Sequence, residues 1–107
     1  MPHRLIITTC PNMDVARILA DALVTERLAA CVNILPAGLS VYEWKGQVER
    51  ESEYLLLIKS RSDRLSQLEQ RVCELHPYEL PELIAVPIKE GLSSYLSWID
   101  SQLDKKV

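Results

Sequence analysis

Two long stretches of strand-forming residues, from about Ala29 to Trp44 and from Gln47 to Ser60, are separated only by Lys45-Gly46. Lys-Gly suits a tight hairpin turn, although Asn-Gly is the stronger signal. Pro36 and Gly38 interrupt the first stretch in a way that suggests a bulge or kink and not a stop. Each strand has about 14 or more residues, which at ~3.3 Å per residue extends roughly 46 Å. The other strand-like runs are about seven residues long, so the hairpin must overhang its own domain. An overhang that carries Val41, Tyr42, Trp44 and Val48 leaves apolar groups and open strand edges in water, and such edges normally find a partner. Association of several copies is the simple remedy. The alternative is a monomer with a solvated arm, its exposure eased by Glu49, Glu51 and Glu53.

The rest of the chain alternates short strands with amphipathic helices. Arg4 to Thr9 reads as a strand, broken by Pro11-Asn12, and Asn12 can cap the helix that follows. Val15, Ile18, Leu19, Ala22 and Leu23 then recur at the spacing of one helical face. Leu55 to Ile58 is a continuous apolar run, suited to a buried strand. Helical spacing returns from Arg61 to His76, with Leu65, Leu68, Val72 and Leu75 as its stripe, and Pro77 stops it. Pro81 to Ile88 reads as a further strand. Ser93 or Ser94 caps a last helix whose Leu96, Ile99 and Leu103 point inward, with Tyr95 and Trp98 beside them. The order strand, helix, strand, strand, helix, strand, helix predicts an α+β ferredoxin-like split β-α-β sandwich with a long central hairpin and an extra C-terminal helix. Its helices cover one face of a four-stranded sheet and leave the other bare.

All 107 residues fit one domain, 1–107, with 48% apolar and 25% charged residues. A net charge of −3 with scattered basic residues argues against nucleic acid as a partner. No apolar run is long enough to span a membrane, and MPHRLIITTC turns polar too soon for a signal peptide, so cytoplasm is the expected location. Cys10, Cys31 and Cys73 are odd in number and form no C-x-x-C, which supports neither a zinc ribbon nor a redox pair. Their simple reading is reduced thiols acting as small apolar residues.

The blocks LAACVNILPAGLSVYEWKG, HPYELPELIAVPI and YLSWI, with Lys59 ending the strand between the first two, resemble the CutA family of divalent-cation tolerance proteins. The match runs from the first strand to Leu103, and none of these blocks departs from the family pattern. The resemblance implies a ferredoxin-like subunit in a tight homotrimer, similar in architecture to PII-type signalling proteins. It also implies a link to tolerance of copper and other divalent metals, with copper bound by some members. No enzymatic activity is settled for the family and the downstream partner is undefined.

His76 is the leading candidate for chemistry, because an imidazole is a good copper or zinc ligand. One imidazole is not a site, and no second ligand stands within helical reach of it. Cys31, Cys10, Glu79 and Glu82 are the residues to inspect as partners, from elsewhere in the fold or from other subunits. The resemblance implies a role for the histidine of HPY, here His76, and makes the cysteine of LAAC, here Cys31, a weaker second choice. The competing reading of His76 is a helix cap bonded to free carbonyls, its extended backbone dictated by Pro77. Tyr42, Trp44, Tyr78 and Trp98 could floor an intersubunit pocket or simply pack, and His3 reads as a solvated residue. No nucleophile elbow, P-loop, dinucleotide fingerprint or H-E-x-x-H is present, so no catalytic residue is assigned and an enzyme is not expected. A Cys31–His76 nucleophile pair would need hydrogen-bond contact. The expected function is metal binding, with divalent copper as the first ion to test. The alternative is a PII-like module that binds an anionic metabolite or a partner protein at intersubunit clefts, with Lys59, Arg61 and Lys89 as anion contacts or as solvated surface charge.

Overall fold

Lys45 and Gly46 both adopt positive φ, 51° and 82°, which is the paired left-handed geometry of the tightest hairpin turn. That turn joins β2 (Cys31–Trp44) to β3 (Gln47–Arg61) in the computed structural model, which describes residues 2–106. β1 (His3–Cys10) lies against the other edge of β3, and β4 (Leu83–Pro87) against β1. The sheet is open and antiparallel in the order β2-β3-β1-β4, with β1 inside as the split β-α-β reading requires. β1 ends at Cys10, opposite Tyr54, so the pairs from Gly38↔Glu53 to Trp44↔Gln47 project beyond it. The molecule is 45 Å along its longest axis.

The register shifts between Leu35 and Gly38, where Pro36 cannot donate to the ladder. A Cβ on Gly38 would stand 3.0 Å from the Glu53 carbonyl oxygen, so the bulge brings two backbones closer than a side chain permits.

α1 (Met13–Thr25) opens with the Asn12 side chain accepting the Val15 N–H at 2.9 Å. It closes with Arg27 at φ 59° and with bonds from Arg27 N to Val24 O and from Leu28 N to Leu23 O, a Schellman end built without glycine. Its buried face is Ala16, Leu19 and Leu23. Ile18, expected inside, is exposed: the face that α1 turns to the core is centred on Ala16, Leu19 and Leu23. A single 3₁₀ turn, Ser62–Arg64, precedes α2 (Leu65–Leu75), so Arg61 belongs to the strand and not to the helix. Leu68 and Val72 are buried on α2, with Leu65 and Leu75 packed beside them.

β4 is five residues, shorter than Pro81 to Ile88 suggests: its ladder with β1 runs from Leu83 to Pro87, and beyond it the Ile88 N–H still donates to the His3 carbonyl at 3.0 Å. α3 (Ser93–Leu103) has Leu92 at its cap and no side-chain bond there, so neither Ser93 nor Ser94 caps it. Ile99 and Leu103 of α3 pack with Ala30, and Leu96 joins them.

Side chains alternate across the strands. Ile6, Leu56 and Ile58 meet Leu19, Leu23, Leu68 and Val72 in the core. Leu5, Ile7, Leu55 and Leu57 line the opposite face half-buried, and Leu35, Ile84 and Val86 are exposed on it. One face of the sheet is therefore dry; the other is apolar and largely open, but not bare as expected, since α3 reaches Arg61 and His3 at its far end.

Candidate functional site

The projecting hairpin and the segment after α2 enclose an open groove of about 990 Å³. Its hairpin wall carries Tyr42, Trp44, Glu51 and Glu53. The facing wall carries Tyr78, Glu79, Leu80 and Glu82. Among the described residues no lysine, arginine or histidine lines it, so four carboxylates set its sign.

Four bonds hold the facing wall in place. His76 leaves α2 in an extended conformation, as the following proline demands. Its Nε2 donates to the Thr9 carbonyl at 2.7 Å, and its Nδ1 accepts the Tyr78 N–H at 3.1 Å. The two partners fix the tautomer with hydrogen on Nε2. The Thr8 hydroxyl donates to the Glu82 carbonyl, and the Tyr78 hydroxyl donates to Glu53 Oε2 at 2.9 Å. The imidazole thus does not cap α2 carbonyls; it ties the segment to the end of β1. Both ring nitrogens are engaged, and a metal on Nδ1 has to displace the Tyr78 amide.

Glu53 is only 6% exposed, although Glu49 and Glu51 follow the same pattern along the strand. Burial comes first in pushing the Tyr78 phenol up, followed by its bond to Glu53 and the charge of that carboxylate. Tyr42 shifts the same way through desolvation and then through the fields of Glu51, Glu53 and Glu49. Both phenols register a negative potential in the groove.

The other candidate ligands are dispersed. Cys10 is fully buried, its Sγ 3.5 Å from the Asn12 carbonyl. Burial chiefly pushes its thiol up, and the Glu53 charge adds to this, which opposes the thiolate a metal needs. Cys31 is half-buried at the start of β2, with the Tyr95 hydroxyl beside it. Glu79 is exposed, with Lys45 Nζ 4.0 Å from its Oε2. Among the described residues no three of His, Cys, Asp and Glu come close enough together to hold a metal ion. No Cys31–His76 contact forms, since the ring bonds Thr9 and Tyr78.

The proposed anion contacts do not converge either. Lys59 donates to Asn33, Lys89 is exposed, and none of the three lines the groove. Arg61 is not surface charge. It is 6% exposed and bonds Asp63 through Nε (2.7 Å) and Nη2 (2.9 Å), Asp104 through Nη2 (2.8 Å) and Asp100 through Nη1 (3.1 Å). His3, read as solvated, joins the same cluster through Nε2 at 2.9 Å from Asp100. The bonds to Asp63 and Asp104 hold the Arg61 guanidinium still further up. Arg61 in turn holds the Asp63 and Asp104 carboxyls below their usual range. Burial raises Asp100, but its bonds to Arg61 and His3 outweigh that and leave it lowered. The cluster locks α3 to the sheet at the end opposite the groove.

The geometry can be set beside known proteins. Residues 4–102 match the family described as CutA1 divalent ion tolerance protein. The chain is 48% identical over 97 residues to the divalent-cation tolerance protein CutA of Thermus thermophilus, a match that covers 91% of this chain and 94% of that protein. It is 46% identical over 99 residues to the chloroplastic protein CutA of Arabidopsis thaliana. That match covers 92% of this chain and 54% of the plant protein, so the chain spans about half the length of that relative. The crystal structure of CutA from Xylella fastidiosa superposes with a TM-score of 0.93 at 46% identity, covering 95% of this chain and 98% of the other.

Proposed function

This chain belongs to the CutA1 divalent ion tolerance family, and from that premise we propose that it serves divalent-metal tolerance by binding a cation as a homotrimer. The observation that carries the reading is the sign of the groove: four glutamates line it and, among the described residues, no basic residue does, Lys45 reaching only Glu79. The same sign weighs against an anionic metabolite.

The metal site belongs to the assembly. Cys31 lies at one end of the sheet, and His76 and Glu79 lie at the other, so one copy cannot bring them to one ion. A trimer that covers Ile84, Val86 and the hairpin arm sets one copy's Cys31 or Glu79 against another's groove. Copper is the ion of choice, since it accepts sulfur, imidazole and carboxylate together. Glu79 and Cys31 offer ligand atoms near the surface. His76 contributes through Nδ1 once the Tyr78 amide moves away, and Cys10 only on losing its proton. Three unpaired cysteines suit a reducing compartment such as the cytoplasm. No helix among the described residues is long and apolar enough to cross a membrane.

Titration with Cu²⁺ tests the reading, with Cys31→Ser, Glu79→Gln and His76→Ala compared against the parent chain. A loss of affinity of about tenfold on removal of one ligand supports it. Unchanged affinity in all three variants contradicts it.

A further inference from the structure

We propose that α3 is a strap that lifts off the sheet as a unit while the main core stays folded, and that in lifting it uncovers the start of β2 at Ala30 and Cys31. The helix has a core of its own. Ile99 and Leu103 close on Ala30, with Leu96 beside them, and this cluster is separate from the one built around Ile6, Leu56 and Leu68. Lifting α3 therefore opens no cavity between the sheet and α1 or α2. From Lys89 to Trp98 every residue except Leu96 is exposed. The last backbone tie before the helix is the Ile88 N–H on the His3 carbonyl, and Leu92 at the cap adds no side-chain bond. A stretch with so few buried contacts belongs to the part of a fold that opens most readily.

The latch sits at the other end of the helix. Arg61 bonds Asp100 through Nη1 and Asp104 through Nη2, Arg64 Nη2 donates to the Leu103 carbonyl at 3.0 Å, and His3 bonds Asp100. Opening breaks all of these, yet it strands no buried charge. Arg61 keeps Asp63, which accepts from both Nε and Nη2 on the turn before α2, while Asp100 and Asp104 pass into water. A buried cation that keeps a close carboxylate avoids the penalty of standing unpaired. Tyr95, whose hydroxyl lies beside Cys31, leaves with the helix. The proposal goes beyond metal tolerance and does not depend on whether Cys31 holds an ion.

Hydrogen exchange of the metal-free protein tests it by comparing the Ile99 and Leu103 amides with those of Leu56 and Ile58. The α3 amides should exchange about a hundredfold faster or more, with the gap closing as urea approaches the unfolding transition. Two substitutions separate the openings. Ile6→Val should speed the Leu56 and Ile58 amides about threefold to tenfold and leave the α3 amides unchanged, because Ile6 packs alike whether α3 is docked or lifted. Asp104→Asn should speed the α3 amides about threefold, the worth of a largely exposed pair. In a Cys73→Ser background, labelling of Cys31 by a thiol reagent should rise with Asp104→Asn and ignore Ile6→Val. Equal exchange in the two sets of amides overturns the proposal, as do α3 amides that Ile6→Val accelerates as much as the core, since α3 then opens only with the whole chain. So do α3 amides with no protection at all, which would leave no closed state to open. Cys31 labelling that Asp104→Asn leaves unchanged overturns the uncovering of that thiol.

Discussion

Arg61 and Glu53 are buried to the same extent, each 6% exposed, Arg61 at the end of β3 and Glu53 near its middle, where the strand leaves β1 behind. Arg61 is surrounded by Asp63, Asp100 and Asp104, with Arg64 and His3 completing the cluster. Glu53 has one phenol. Around Arg61 every charge is spent inside the chain, and α3 is fixed in place. Glu53 and three further carboxylates face a groove beside exposed Val41, Tyr42, Trp44 and Val48. One end thus pairs its buried charge within the chain, whereas the other gathers like charges beside apolar groups that a single copy leaves open.

That contrast is open to attack by mutation. The largest effect is expected from Arg61→Met, which strands three acids around an apolar side chain and should destabilise the fold by about 2–4 kcal/mol. Glu53→Gln should stay within about 1 kcal/mol of the parent, because an amide still accepts the Tyr78 hydroxyl and sheds an unpaired charge. Urea denaturation of both variants measures the asymmetry, and equal losses would abolish it. Tyr78→Phe comes next. It removes the one donor to Glu53 and should cost about 1–3 kcal/mol in the same assay.

Acid sharpens the comparison further. Asp63, Asp100 and Asp104 sit below the ordinary carboxylate range in the folded chain. Their contribution is therefore complete above about pH 4, the unfolded carboxylate value, and is lost as pH falls through their depressed folded values. The melting temperature of the parent chain should drop more steeply below about pH 4 than that of Arg61→Met. Parallel curves would mean that the cluster contributes no acid sensitivity. The smallest effect lies away from both ends. Arg27→Gly relieves a left-handed residue at the end of α1 and should raise stability by about 0.5–1 kcal/mol.

Local signals in the sequence were enough for the hairpin turn, the bulge near Pro36, the Asn12 cap, the α2 stripe and the stop at Pro77. Each of these depends on residues within one or two turns of chain. Arg61 was misread because the partners that bury it include Asp100 and Asp104, some forty residues away and meaningful only once α3 docks. Glu53 is indistinguishable from Glu49 and Glu51 in an alternating strand. What buries it is its position opposite Gly38 and under Tyr78, a tertiary fact. His76 was singled out correctly as unusual, but its partner Thr9 lies at the far end of β1. Only the overhang itself, a matter of counting residues, pointed toward the groove end of the molecule.

The central claim is that the hairpin end is a surface completed by other copies of the chain. Sedimentation equilibrium of metal-free protein at micromolar concentration tests it most directly. The account predicts a particle three times the 12.2 kDa chain mass. A single species at 12.2 kDa would contradict it.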